Sequence, residues 1–316
     1  MACVLLLAGC TSGAWAQPSY PSKSIRMLVI SAPGGSTDIL SRAVGQALAE
    51  ALGQTVVTDN RPGAGGIIAG ETTARAAPDG YTLLMTHTSH SVLPSLHKKL
   101  PYDPIADFAP VSQVALTHSV LTVTPSLPVK ATRDLIALAK ARPGKLNYAA
   151  GTTGSSSHLG PELLKLMAGL DIVHLPYKGT AAQITALISG EAQVSFITMP
   201  AVMPHVNAGR LRAIAVGSPT RATAMPDLPT VAESGVPGFD VAAWNGLLFP
   251  AKTPRAIVMR INAEVAKIVT IPEIRDRAAS QGAEMVRNSP EEFVAYIKAQ
   301  IAKWARVVKA SGMQPD

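Results

Sequence analysis

The sequence predicts an α/β protein of two domains with a ligand cleft between them. Three observations carry this. The first is a pair of glycine-bearing loops, Ala32-Pro33-Gly34-Gly35-Ser36-Thr37-Asp38 and Gly151-Thr152-Thr153-Gly154-Ser155-Ser156-Ser157-His158. Each stands between a short apolar run and a helical pattern, so each aims free N–H groups and the positive end of a helix dipole at one point. The second is the alternation of strand-like and helix-like segments in both halves of the chain. It implies a parallel sheet, with ligands at the carboxyl ends of its strands. The third is composition: 316 residues, 47% apolar and 16% charged, suit two full cores and exclude a disordered or coiled-coil chain.

The first loop follows the apolar run Met27 to Ile30. The helix after it is the clearest element, because Ile39, Leu40, Ala43, Val44, Ala47, Leu48, Ala51 and Leu52 form one apolar stripe. Ser36, Thr37 or Asp38 can cap its start, and Gly53 can end it. Thr55 to Thr58 reads as a strand, Arg61 to Gly66 as a turn opening a helix through Ala76, and Pro78-Asp79-Gly80 as a tight turn. Tyr81 to Thr86 reads as a strand that runs out into the polar stretch Thr86-His87-Thr88-Ser89-His90. The β-branched stretch Val111 to Thr124 reads as strands leaving the first domain.

The second domain repeats the alternation. Helices are expected over Thr132 to Ala141, from the serine loop through Met167, and over Ala181 to Ile188. Strands are expected over Leu146 to Ala150, Ile172 to Leu175, Gln193 to Ile197 and Leu211 to Val216. Ala222 to Asp240 is rich in Pro and Gly and reads as a surface excursion, and Val241 to Phe249 as a return strand. Thr253-Pro254 opens a helix that carries Ile257, Ile261, Val265 and Ile268 on one face. Ser289-Pro290-Glu291-Glu292 is a capping box, and its helix buries Val294, Ile297, Ile301, Trp304 and Val308. These late helices are expected to pack back on the first domain. Residues 20–122 and 245–316 then form one domain and 123–244 the other, joined by a two-segment hinge.

The N-terminus resembles an export signal, with an apolar Val4 to Ala8 and a small-x-small site at Ala14-Trp15-Ala16, so residues 1–16 are expected to be removed. No Lys or Arg precedes the apolar run, so the true start codon is expected upstream. Leu7-Ala8-Gly9-Cys10 offers a competing site for a lipidated Cys10. The apolar stretch is too short to span a membrane. Cys3 and Cys10 are the only cysteines, so a chain cut after Ala16 has no thiol chemistry. The net charge of +7 is dispersed, and aromatic residues are only 4% with no basic stripe, which argues against nucleic acid as a partner.

The residue types raise two chemistries, metal binding and serine catalysis. His87 and His90 lie three apart, but no HExxH and no carboxylate cluster accompanies the seven histidines, so no metal is expected. His87 and His158 are expected to donate hydrogen bonds to ligand or loop. Ser155, Ser156 and Ser157 stand beside His158, but the GxSxG elbow is absent. A hydrolase built on Gly154 to Ser157 remains the competing class. Asp38 reads as a capping carboxylate that stiffens its loop, and Trp244 as a hinge, core or ligand-stacking residue.

Pro33-Gly34-Gly35 with Asp38 and Arg42, Asn60 to Gly66, and Pro78 to Leu84 resemble the substrate-binding proteins of tripartite tricarboxylate transporters, also called Bug receptors. Leu100 to Asp103 with Asp107-Phe108, Gly154-Ser155 with His158-Leu159, and Pro176-Tyr177-Lys178-Gly179 extend the resemblance from Tyr20 to the C-terminus. It implies a type II periplasmic binding protein that closes over a small carboxylate and delivers it to a membrane permease pair, and no cofactor is expected. A monomer in the periplasm is expected, with a ligand-sensing protein that signals to a membrane sensor as the alternative. By this resemblance Gly35, Ser36, Thr37 and Asp38, with Gly154, Ser155, Ser156, Ser157 and His158, clamp the carboxylate. Thr86, His87 and Thr88 form a third contact region, and Tyr177, Ile197, Thr198 and Trp244 complete the expected site. Many members carry an aspartate where this chain has Ile197. An amino-acid ligand is therefore disfavoured, and an apolar or aromatic carboxylate gains.

Overall fold

The computed structural model describes residues 20–151 and 154–313. The export signal, Cys3, Cys10, and Thr152 and Thr153 of the second loop lie outside the described residues. The chain opens with β1 (Ile25–Val29), α1 (Ser36–Leu52), β2 (Val56–Asn60), a 3-10 turn over Ala64–Gly66, α2 (Ile67–Ala74), β3 (Thr82–His87), α3 (Ser89–Leu96) and β4 (Phe108–Thr117). One residue, His118, separates β4 from β5 (Ser119–Val123). There follow α4 (Thr132–Ala141), β6 (Asn147–Ala150), α5 (Ser156–Ala168), β7 (Val173–Pro176), α6 (Thr180–Ser189), β8 (Val194–Thr198), α7 (Met199–Asn207) and β9 (Arg212–Val216). The chain ends with β10 (Ala243–Pro250), α8 (Arg255–Ile268), α9 (Pro272–Ser280), β11 (Ala283–Met285) and α10 (Pro290–Ser311).

Two sheets result, ordered β11–β4–β10–β3–β1–β2 and β7–β6–β8–β5–β9. Neither is purely parallel, which corrects the expectation drawn from alternation alone. β1 runs parallel to β2 and β3, but β10 is antiparallel to β3 and β4. β6 runs parallel to β7 and β8, but β5 is antiparallel to β8 and β9. The route explains this. β4, β5 and β10 carry the chain between sheets, so they enter against the direction set by the local strand–helix units.

The α1 stripe does what its spacing predicts. Leu40, Val44 and Leu48 pack with Met27 and Leu83 of the first sheet and with Val258 and Ile261 of α8. Gly53 closes α1 in the left-handed conformation, its N–H on the Ala49 carbonyl. In the second sheet Leu159, Leu163 and Leu164 of α5 pack with Tyr148 and Phe196. The stretch Ala222 to Asp240 is not the surface excursion its composition suggested. It buries Val231, Val236 and Phe239, and Phe239 stacks on Phe196 with ring centroids 5.5 Å apart.

Helix α10 departs from expectation in a way that matters for the site. Its start is capped as predicted, with Ser289 Oγ accepting from Glu292 N–H at 3.2 Å and Ser289 N–H donating to Glu292 Oε2 at 2.7 Å. Its first half buries Phe293 and Ile297 against Leu28, Leu84 and Trp244. Its second half buries Trp304 and Val307 among Leu159, Leu163 and Phe239 of the second-sheet core. At 22 residues, roughly 33 Å, the helix is long enough to touch both layers.

Candidate ligand-binding site

A cavity of about 360 Å³ lies where the two sheets meet. Its wall is built from the start of α1, the turn between β3 and α3, the start of α5, β10 and α10. The structure places Gly35, Ser36, Thr37, His87, Thr88, Gly154, Ser155, Ser156, Thr198 and Trp244 on that wall. Ser157 and Ile197 line an adjoining chamber that shares Ser155, Ser156 and Thr198 with it. Asp38, Thr86, His158 and Tyr177 are not on either wall.

The two loop-to-helix starts share one backbone solution. Gly35 (φ −72°, ψ 160°) caps α1 and Ser155 (φ −69°, ψ 159°) caps α5, and neither side chain bonds the first turn. The contrast with α10 is direct, since there Ser289 satisfies the same groups. At α5 the His158 N–H donates to the Ser155 carbonyl at 3.0 Å, while the N–H groups before it, and those opening α1, lack a helical partner and remain available to a ligand. Gly154 sits at φ +79°, a left-handed conformation that turns the chain into α5 and that a side chain would strain.

Hydroxyls complete the donor set, and their partners set their direction. Thr37 Oγ1 accepts from Asn245 Nδ2 at 3.0 Å, and Thr88 Oγ1 accepts from Trp244 N–H at 2.9 Å. Each hydroxyl keeps its own proton to donate. Gly151 N–H donates to Ser157 Oγ at 3.0 Å, and Ser157 Oγ lies 3.1 Å from Ser155 Oγ. Either hydroxyl can donate in that pair, and Ser155 lines the cleft. His87 Nδ1 accepts from Ser89 N–H at 3.1 Å, so the ring proton sits on Nε2. Burial, with His90 adding to it, pushes this imidazole down to about 4, so it is a neutral donor.

Asp38 serves the loop. Burial alone would raise its pKa, but hydrogen bonds from Arg42, Gly34 and Asn60 overcome that and hold the carboxyl below its usual range. The distances are 2.9 Å from Gly34 N–H, 3.0 Å from Arg42 Nε and 2.9 Å from Asn60 Nδ2. His158 stacks on His174 with centroids 4.6 Å apart, and its Nδ1 meets no partner among the described residues. Tyr177 packs against the cluster around Ile184 and Ile197. Thr86 is buried one position before His87, where strand alternation turns its side chain to the other face.

Sequence reading missed Asn245 and Trp304. Asn245 had a signal, since it is the one amide in the apolar run Val241 to Phe249. Trp304 had none, because it fits the apolar stripe of α10 and reaches the cleft only through the packing of that helix. The indole Nε1 atoms of Trp244 and Trp304 are both buried without a partner among the described residues. No Asp, Glu, Lys or Arg among the described residues lines the cavity or the chamber.

Two α/β lobes with a donor-lined cleft between them define a solute-binding receptor. The chain belongs to the tripartite tricarboxylate transporter family receptors, whose profile it matches over residues 40–313. It is similar to protein BugT of Bordetella pertussis, with 38% identity over 296 residues that cover 93% of this chain and 91% of that one. Among solved structures it resembles R. palustris Rpa4515 with adipate, at 36% identity and TM-score 0.74, covering 94% of this chain and 100% of that chain. It also resembles MatC from Rhodopseudomonas palustris with bound malate, at 31% identity and TM-score 0.70, covering 92% and 100%.

Proposed function

We propose that this protein captures a small carboxylate outside the cytoplasm by closing its two lobes, and hands it to a tripartite-type membrane permease. The observation that carries this reading is the convergence of two uncapped helix starts, one from each lobe, on one cleft. An anion held there engages donors from both lobes at once, so binding and closure are coupled. The acids bound by the two Rhodopseudomonas palustris relatives support the ligand class. The absence of a charged wall fits an anion neutralised by backbone dipoles and hydroxyls.

The serine loop supports a receptor over a hydrolase. Ser155 and Ser157 bond each other, and His158 turns its ring to His174. Glu162, the nearest acid in sequence on α5, is engaged by Tyr148 Oη at 2.6 Å and Lys165 Nζ at 2.8 Å. Among the described residues of this loop no base is poised on a nucleophile and oriented by an acid. Among the described residues no helix is long and apolar enough to cross a membrane.

The test is a thermal-shift screen of the purified protein against citrate, C4 to C8 dicarboxylates, acidic amino acids, benzoate, terephthalate and nicotinate. A ligand that binds only the folded state raises Tm by mass action. A large shift for one acid, recovered unchanged, is the expected result. Turnover of an ester or amide by the serine loop would overturn it.

A further inference from the structure

A groove of about 650 Å³, larger than the cleft, lies between the later turns of α5 and α10. Leu163 and Val307 are buried at its base. Its α5 wall carries Leu166 and Met167, which stay 45% and 39% exposed. The other large apolar side chains left exposed among the described residues, such as Val57 and Met259, have no such neighbour in sequence. A single exposed apolar residue is ordinary surface, whereas a pair on the wall of a concavity is a contact surface. The unbranched Met167 can adapt its shape to what it meets.

The opposite wall is basic. From Lys298 to Lys309 α10 carries four basic residues and no acid. Lys303 is committed, since its Nζ donates to the Asp240 carbonyl at 2.7 Å and to Asp240 Oδ2 at 2.9 Å. Arg306 and Lys309 are exposed on the groove and form no ion pair among the described residues. No Asp or Glu among the described residues lines it. The helix dipole accounts for a cation in the last turn, which is where Lys309 sits. It does not account for the apolar pair across the groove.

The same two helices build the cleft. α5 opens on the cleft at Ser156 and reaches the groove at Leu166, ten residues or about 15 Å further on. On α10, Trp304 lines the cleft and Val307 the groove. A helix moves as a rigid element, so a ligand that draws the α5 start toward α1 also changes how α5 sits against α10. An occupant of the groove touches both helices.

We infer that the α5–α10 groove docks an acidic, apolar-faced segment of the membrane permease. This rests on the receptor reading given above. Leu166 and Met167 receive the apolar side chains of that segment, and Arg306 and Lys309 its carboxylates, an amphipathic segment laid in a groove. A flat anionic bilayer would meet the two charges and leave the recessed base uncovered.

Photocrosslinking in the cells that encode the protein tests the assignment. The photoreactive residue p-benzoylphenylalanine replaces Leu166 or Ala310 on the groove, or Met259 or Ile271, exposed on α8 and before α9, as controls. Mass spectrometry identifies what each position reaches. Both groove positions are expected to reach one acidic, apolar-faced segment of a multi-spanning membrane protein, and the controls are not. Arg306→Glu with Lys309→Glu should cut the yield by about tenfold or more, because carboxylate then faces carboxylate. Arg306→Gln with Lys309→Gln should give an intermediate loss. Tm and titration with adipate are recorded for each variant, and both should match wild type. Crosslinks to lipid, to a second copy of this chain or to nothing overturn the assignment. So do crosslinks that survive charge reversal, or a charge-reversed protein that has lost stability or acid binding along with them. A wild type that binds no acid but reaches the membrane protein through the groove overturns the carboxylate reading and upholds the docking site.

Discussion

The starts of α1 and α5 face the same cleft but are held by different means. The α1 loop is braced by a charge: Asp38 gathers Gly34, Arg42 and Asn60, and Asn60 also donates to the Ser31 carbonyl at 3.0 Å. Among its described residues the α5 loop has no such brace. The side-chain bonds there are the neutral ones from Gly151 to Ser157 and between Ser157 and Ser155. The first loop is therefore framed by a charge, and the described residues of the second by neutral bonds. The smaller chamber adjoins the second loop. On the reading proposed above both starts take part in capture, one from a charged frame and the other from a neutral one.

Asp38→Ala should break this contrast most severely. It removes a buried acceptor of three hydrogen bonds and leaves the Gly34 N–H, Arg42 and Asn60 without their shared partner. A stability loss of about 3 kcal/mol is expected, since bonds to a charged group contribute about 1.5–3 kcal/mol each and Arg42 is half-exposed and regains water. Chemical denaturation measures it. Affinity should fall as well, because the loop that presents the α1 donors loses its frame. An unchanged midpoint would mean that the brace is dispensable.

Removing hydroxyl donors from the start of α5 should act on binding and spare stability. Ser155→Ala together with Ser156→Ala is expected to weaken an acid by about 1–3 kcal/mol per lost charge-assisted donor. Tm of the free protein should move little, because both side chains are half-exposed on the cleft wall. Calorimetry and a melting curve on the same sample separate the two effects. Equal loss of stability and affinity would show that the serines hold the loop rather than the ligand.

Much of this arrangement was legible in the residues, and the gaps have physical causes. The α1 stripe, the glycine after it and the capping box before α10 are local signals, and each formed where its spacing placed it. Helices α3 and α7 were not legible. α3 is short, contains Pro94, and buries Ser91 and His90, the last residue of the stretch that reads as polar. Its partner is not local: His90 packs edge-on to Phe108 at 5.0 Å and donates from Nε2 to the Pro104 carbonyl at 2.8 Å. α7 carries Pro200 in its first turn and Pro204 further on, so prolines that read as breakers sit inside a helix of nine residues. The sheet directions and the reach of α10 depend on which strand enters from the other lobe. No local pattern encodes that.

Trp304→Phe sharpens the comparison at the seam between the lobes. It keeps an aromatic ring in the second-sheet core and removes the indole N–H, which has no protein partner among the described residues. A loss of about 1 kcal/mol in affinity is expected, one neutral hydrogen bond in size. The same two indoles report binding, because Trp244 and Trp304 both line the cleft. Fluorescence titration of wild type and variant should show closure in both, with less change in the variant. Identical affinity would place the indole outside the ligand's reach.

The smallest effect expected is that of pH on affinity, and it sets binding apart from folding. No charged side chain among the described residues lines the cleft, and His87 is already neutral near pH 7. From about pH 6 to pH 8 the ligand carboxylates stay ionised and no cleft group titrates, so affinity should vary by no more than about twofold. Stability should behave differently. Burial pushes His87, His90 and His158 each down to about 4 from an ordinary 6.5. Between those values the unfolded chain binds protons that the fold refuses, so stability is full above pH 6.5 and falls as pH drops toward 4. Each histidine contributes up to about 1.4 kcal/mol per pH unit within that window. Asp38, held low, adds its loss only further into acid. Denaturant midpoints and ligand titrations at the same pH values test both halves. An affinity that tracks the stability curve would mean that one of these buried histidines is coupled to the ligand.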